Sequence, residues 1–147
     1  MLNVGEHAQQ TSDMMKSPNE ELLRVVVTRR GKLRVAEFRL RESEVGLSLF
    51  RQTEMVSPDA IVGAVRAAGK QGELAVAEIS LAVLRDLRLR LVETAGGTPD
   101  PAVNSVHVEA RLSRWLRFRL WLRRRSAADY FNEHCAPEIA TAARVLE

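Results

Sequence analysis

His107 and Glu109 have the clearest spacing for chemistry, and they follow a glycine- and proline-rich loop at residues 95–101. Residues two apart on a β-strand project from the same face, so this imidazole and carboxylate would lie side by side. In such a pair one group transfers a proton while the other orients it. Arg39 and Arg41 are predicted on an earlier strand and Ser48 in Gly46-Leu47-Ser48, and they would complete an anion-binding cleft if these strands are neighbours.

These five residues define an enzymatic hypothesis. Arginine would hold a phosphate or ribose and glutamate would activate the acceptor, which is the distribution that a small ADP-ribosyl-transferring toxin needs. The substrate would be a nucleotide or nucleic acid. The simpler interpretation is that the same residues form the solvent-exposed face of an amphipathic sheet.

Other signals of catalysis are weak. Gly96-Gly97-Thr98-Pro99 lacks the lysine of a phosphate-binding loop, and no Gly-x-Ser-x-Gly motif is present. His134 and Cys135 are adjacent on a predicted helix, where neighbouring side chains point about 100° apart and do not readily share a metal ion. We therefore predict no cofactor and no metal site. A single cysteine excludes an internal disulfide and favours a reducing, cytoplasmic compartment.

A different kind of site is predicted by residues 111–125, which contain seven arginines, both tryptophans and no acid. A helical projection places an apolar arc on one side. The residues of this arc are Leu112, Trp115, Leu116, Leu120 and Leu122. The opposite side carries the candidate binding residues Arg114, Arg117, Arg124 and Arg125, with Trp121 among them. Trp115 and Trp121 complete this candidate set.

Several interpretations of this arginine-rich helix are open. It could pack its Leu/Trp stripe on the sheet and leave its arginines in solvent, contact phosphates and bases of a nucleic acid, or lie on a membrane surface. We favour docking on an acidic partner protein, with tryptophan and arginine as anchors. Acids in the next segment (Asp129, Glu133 and Glu138) could instead fold back and neutralise the arginines.

The elements that must position these residues indicate an α+β fold. We expect a small, mostly antiparallel sheet covered by a helix, with a C-terminal helical arm and a flexible N-terminal tail. Predicted strands cover 22–28, 33–40, 45–50, 74–79, 88–94 and 105–111, the first two forming a hairpin. Ser57-Pro58-Asp59 predicts the start of a helix over 58–68, and Ser80 caps a short helix through 84. Further helices are predicted over 113–125, 127–135 and 137–146.

The 147 residues suffice for about one domain, which we divide into a tail (1–20), an α+β core (21–112) and the arginine-rich arm (113–147). No run approaches the roughly 18 apolar residues that cross a bilayer. We expect a non-enzymatic accessory subunit of a bacterial multiprotein assembly, with a defence or toxin system as one setting. Its expected partner is another protein of that system, with nucleic acid and then a membrane surface as alternatives. The sequence leaves the oligomeric state open.

Overall fold

The structure, a computed structural model, describes residues 20–146, so the predicted flexible tail lies outside the described residues except for Glu20. Within this range six strands form one antiparallel sheet in the order β4-β5-β2-β1-β3-β6. The strands are β1 (Glu21–Val27), β2 (Gly46–Arg51), β3 (Leu74–Ser80), β4 (Arg90–Glu93), β5 (His107–Arg111) and β6 (Arg144–Val145). The predicted α+β class is confirmed.

Six α-helices and one 3₁₀ helix (Val35–Phe38) surround the sheet in the described part of the chain. The α-helices are α1 (Pro58–Ala67), α2 (Leu81–Asp86), α3 (Pro101–Ser105), α4 (Arg114–Leu122), α5 (Ala127–His134) and α6 (Ala136–Ala142). All except α6 begin with a serine or aspartate whose side chain accepts a backbone N–H of the first turn. At Ser57, the predicted cap of α1, the Oγ accepts from Ala60 N at 3.1 Å.

Alternation along the strands divides the core into two clusters, one on each face of the sheet. The larger cluster takes Val108 and Ala110 from β5, while His107, Glu109 and Arg111 project from the other face, as predicted.

Helices cover both faces. The larger cluster receives Phe38, Leu84, Leu120, Phe131 and Ile139 from the 3₁₀ helix, α2, α4, α5 and α6. The smaller cluster receives Ile61 and Ala64 from α1 and Val103 from α3. The single covering helix expected from the sequence is therefore one of several.

The predicted return strand over 33–40 is wrong, and so is its hairpin with β1. Val35–Phe38 form the 3₁₀ helix instead, with Phe38 fully buried. Two side chains satisfy backbone groups that a strand partner would otherwise satisfy. Glu37 Oε1 accepts from Val27 N at 2.7 Å. Asn132 accepts from Leu40 N at 2.6 Å and donates to Leu40 O at 2.9 Å.

The secondary structure predicted for the C-terminal residues is also wrong in part. The last helix stops at Ala142, and β6 then pairs with β3, where Arg144 and Glu78 form a 2.9 Å ion pair. The helix predicted over 113–125 ends at Leu122, because Arg124 has a φ of 55° and cannot continue it. Helix α3, within the segment predicted as loop and strand, was missed.

Candidate functional site

Helix α4 is held to the protein by a narrow apolar edge. Ser113 caps it through a 3.1 Å bond from Leu116 N, Leu120 is only 4 % exposed, and Leu116 packs partly buried against the same cluster. Leu112, just before the helix, is buried as well. Most of the remaining helix surface is exposed to solvent, with Arg117 half-buried.

That surface carries an exposed aromatic stack. Trp115 is 68 % exposed, Phe118 48 % and Trp121 71 %, and Leu122 beside them is 60 % exposed. The ring centroids of Trp115 and Phe118 lie 6.1 Å apart, as do those of Phe118 and Trp121. The interpretation in which a Leu/Trp stripe packs on the sheet is therefore wrong for Trp115 and Leu122, because the residues of the apolar arc that reach the core are Leu112, Leu116 and Leu120.

The arginines of this segment are mostly without intramolecular partners. Arg125 lies 3.6 Å from Glu133 and 5.9 Å from the Tyr130 ring centroid. Arg111, which precedes the helix, pairs with Glu109. Within residues 20–146, the remaining five arginines form no side-chain hydrogen bond or ion pair. These are Arg114, Arg117, Arg119, Arg123 and Arg124, and Arg117 has its Nε buried without a partner. The acids of α5 and α6 thus leave this cationic surface largely unneutralised.

His107, the first residue of the predicted proton-transfer pair, is buried at the start of β5. Its Nδ1 lies 2.9 Å from Thr94 Oγ1 and 3.3 Å from Thr94 O, and its ring meets Phe50 edge-on at 5.3 Å. These contacts fix the orientation of the imidazole through Thr94, which follows β4, and through Phe50 of β2 rather than through a carboxylate.

Glu109 shares the face of His107 but is bound elsewhere. Its Oε1 accepts from Arg111 Nε at 2.9 Å and lies 2.8 Å from Arg111 Nη2. The structure gives no hydrogen bond between Glu109 and His107, so the carboxylate is placed to neutralise Arg111 rather than to orient the imidazole.

The remaining predicted residues do come together. Arg39, Arg41 and Ser48 line one groove of about 720 Å³. Ser48 and His107 line an adjoining cavity of about 240 Å³. In register, Ser48 lies opposite Glu109 on the neighbouring strand.

Sequence reasoning missed Arg24 and Lys70, which line both spaces. Arg24 did leave a signal, because it is the one charged residue inside the apolar run Leu22–Val27 of β1. Lys70 follows Gly69 at the end of α1 and has no local pattern that marks it.

Cys135 and His134 show no arrangement for chemistry. Burial raises the pKa of the Cys135 thiol to about 11, so the thiol is protonated at neutral pH and a poor nucleophile. The His134 ring lies 4.4 Å from that of Tyr130. Across residues 20–146 no group of three or more histidine, cysteine, aspartate or glutamate side chains could hold a metal ion.

In the described part of the chain, every helix is too short or too polar to cross a membrane. Comparison of the sequence and the structure with protein families, curated proteins and solved structures finds no match.

Proposed function

We propose that this chain is a non-enzymatic accessory subunit of a bacterial multiprotein assembly and binds an acidic partner protein through α4. The observation that carries the proposal is the exposed aromatic stack of α4 together with arginines that have no partner in the described chain. Large exposed aromatic side chains beside apolar neighbours mark interaction surfaces in proteins.

The spacing on α4 supports a protein ligand. Trp115, Phe118 and Leu122 stand at positions i, i+3 and i+7 and are all exposed. Helices that insert into an apolar groove of a partner use this spacing for their anchors. Tryptophan and arginine are also the residue types that dominate binding energy at protein interfaces. The partner would offer an apolar groove bordered by carboxylates.

Two other ligands fit less well. The Phe118 ring lies between the two indoles, with its centroid 6.1 Å from each, so it offers less free face to a nucleic-acid base than an isolated aromatic side chain would. A membrane-surface helix buries a broad apolar face, whereas the leucines Leu116 and Leu120 of α4 face the protein core.

The first test is affinity capture from a nuclease-treated extract of the native host, comparing wild type with Trp115→Ala/Leu122→Ala. The matched control is Val45→Ala/Met55→Ala, which also truncates two exposed apolar side chains but lies outside α4. We expect one acidic protein to be retained by wild type and control and lost by the α4 variant. Equal retention of that protein by the α4 variant would overturn the proposal.

A charge reversal tests the arginines separately. Arg114→Glu/Arg119→Glu should abolish capture, because it turns attraction to carboxylates into repulsion. Arg85→Glu/Arg90→Glu makes the same change in net charge at exposed sites outside α4 and should preserve capture. If nucleic acid is the bound material and it dissociates steeply with salt, the nucleic-acid alternative replaces the proposal.

A further inference from the structure

The second candidate region is a groove where the sheet opens. β1 and β2 pair at Leu22–Arg51 and Leu23–Phe50 and at no further position. The Arg24 side chain crosses the gap beyond them. Its Nε donates to Glu37 O at 2.7 Å and its Nη1 to Ser48 O at 2.8 Å. The guanidinium thus replaces part of the missing ladder and is largely buried.

Lys70 lies beside Arg24 in the same wall of the groove. Its Nζ donates to Val25 O at 2.8 Å and lies 3.8 Å from Glu37 Oε1. No carboxylate oxygen of residues 20–146 lies within 4 Å of the Arg24 guanidinium. The Glu37 carboxylate instead lies within ion-pair distance of Lys70 and, at 3.5 Å, of Arg34, and it also accepts the Val27 N–H. The wall carries an excess of positive charge.

Burial shifts the protonation equilibria of both cations of this wall. Burial lowers the pKa of Arg24 to about 10, with Glu37 and Glu44 acting in the opposite direction. Burial also lowers the pKa of Lys70, and the neighbouring Arg24 adds to that effect. Buried charges of this kind are stabilised when an opposite charge joins them.

The rim of the groove adds two further cations. Arg39 and Arg41 are exposed, and neither side chain is paired with an acid of the described chain. Glu44 Oε1 accepts from the Arg41 backbone N–H at 2.7 Å rather than from its guanidinium. Four cations and two carboxylates therefore surround a space of about 720 Å³.

The adjoining cavity of about 240 Å³ has a different character. It shares Arg24, Ser48 and Lys70 with the groove, and is otherwise lined largely by apolar and aromatic groups. These include Phe50, Val65, Ala68 and His107. An anion-binding space thus continues into a small space suited to a flat, uncharged ring.

We propose that this groove binds a small phosphomonoester, with its phosphate between Lys70, Arg39 and Arg41 and an uncharged ring against Phe50 and His107. Arginine forks bind phosphate oxygens in pairs, and a dianion would offset the positive excess of the wall. The site is separate from α4, because His107 projects from the face of the sheet opposite to the cluster that holds Leu120.

The test is calorimetric titration of the full chain with adenosine 5′-monophosphate, ribose 5-phosphate, inorganic phosphate and adenosine. We expect adenosine 5′-monophosphate to bind most tightly and adenosine most weakly. Arg39→Ala/Arg41→Ala should weaken its binding by about tenfold or more, while the matched control Arg85→Ala/Arg90→Ala should not. Absence of heat with every phosphate, or equal loss in variant and control, would overturn the proposal.

A second variant examines the ring-sized cavity. Ala68→Leu adds bulk at an exposed wall residue, which should weaken adenosine 5′-monophosphate but leave ribose 5-phosphate unchanged. Equal affinity of the two ligands in wild type would refute the ring compartment. Trp115→Ala/Leu122→Ala should bind both as wild type does, so the outcome is independent of the proposal for α4.

Discussion

Arginine serves opposite purposes in two regions of this molecule. In β1, Arg24 is largely buried and donates to the carbonyls of Glu37 and Ser48. In α4, Arg114 and Arg119 are exposed and have no hydrogen-bond or ion-pair partner within residues 20–146. Whether an arginine is available to an outside ligand therefore depends less on the number of arginines in its segment than on whether the fold already supplies acceptors for its guanidinium.

The cause lies in how each segment is anchored. β1 is paired on both edges and opens from β2 after Leu23, so a side chain must satisfy the carbonyls that are left. α4 has no such demand, because a helix satisfies its own backbone and only Leu116 and Leu120 tie it to the core. Its cations therefore remain available to an outside ligand.

The largest effect on stability is expected from Arg24→Met, which keeps the apolar stem and removes the guanidinium. Two carbonyls lose their donor, so the free energy of unfolding should fall by about 4 kcal/mol. Arg114→Met, the exposed counterpart, should change it by less than about 0.5 kcal/mol. Urea denaturation measures the free energy of unfolding of both variants. A similarly small loss in the two would show that Arg24 does not stabilise the fold.

A smaller effect distinguishes the two sides of α4. Leu120→Ala should lower the free energy of unfolding by about 3 kcal/mol, since it leaves a cavity in the larger cluster. Trp121→Ala, although it removes a larger side chain, should cost less than about 0.5 kcal/mol because that indole is in solvent. Thermal unfolding compares them, and a large loss from Trp121→Ala would mean that the aromatic stack supports the fold.

Much of the fold could be predicted from local signals. The β-branched run of β1 and the Ser57-Pro58 start of α1 are decided within a few residues. The segment 33–40 could not, because its backbone is satisfied by Asn132, which is 92 residues from Leu40 in the sequence. β6 has only two residues and no pattern of its own.

The sites were predictable to different degrees. Composition alone located the arginine-rich helix, but which of its stripes meets the sheet depends on tertiary packing, so the exposure of Trp115 was not foreseeable. Arg39, Arg41, Ser48 and His107 were predicted to line one cleft, although Arg39 was placed on a strand where the structure has a 3₁₀ helix ending at Phe38. Their arrangement around two adjoining spaces requires the opening between β1 and β2, which no local pattern encodes.

The chain carries its own fluorescent reporter for binding of the partner protein at the exposed face of α4. Both tryptophans of the sequence lie on α4 and are exposed, so tryptophan fluorescence, excited at wavelengths that Tyr130 does not absorb, describes this surface alone. Titration with the captured partner should shift the emission to the blue and protect it from acrylamide quenching. Unchanged emission and quenching at saturation, with binding confirmed by calorimetry, would contradict the account, as would an equal shift produced by anionic vesicles or an oligonucleotide.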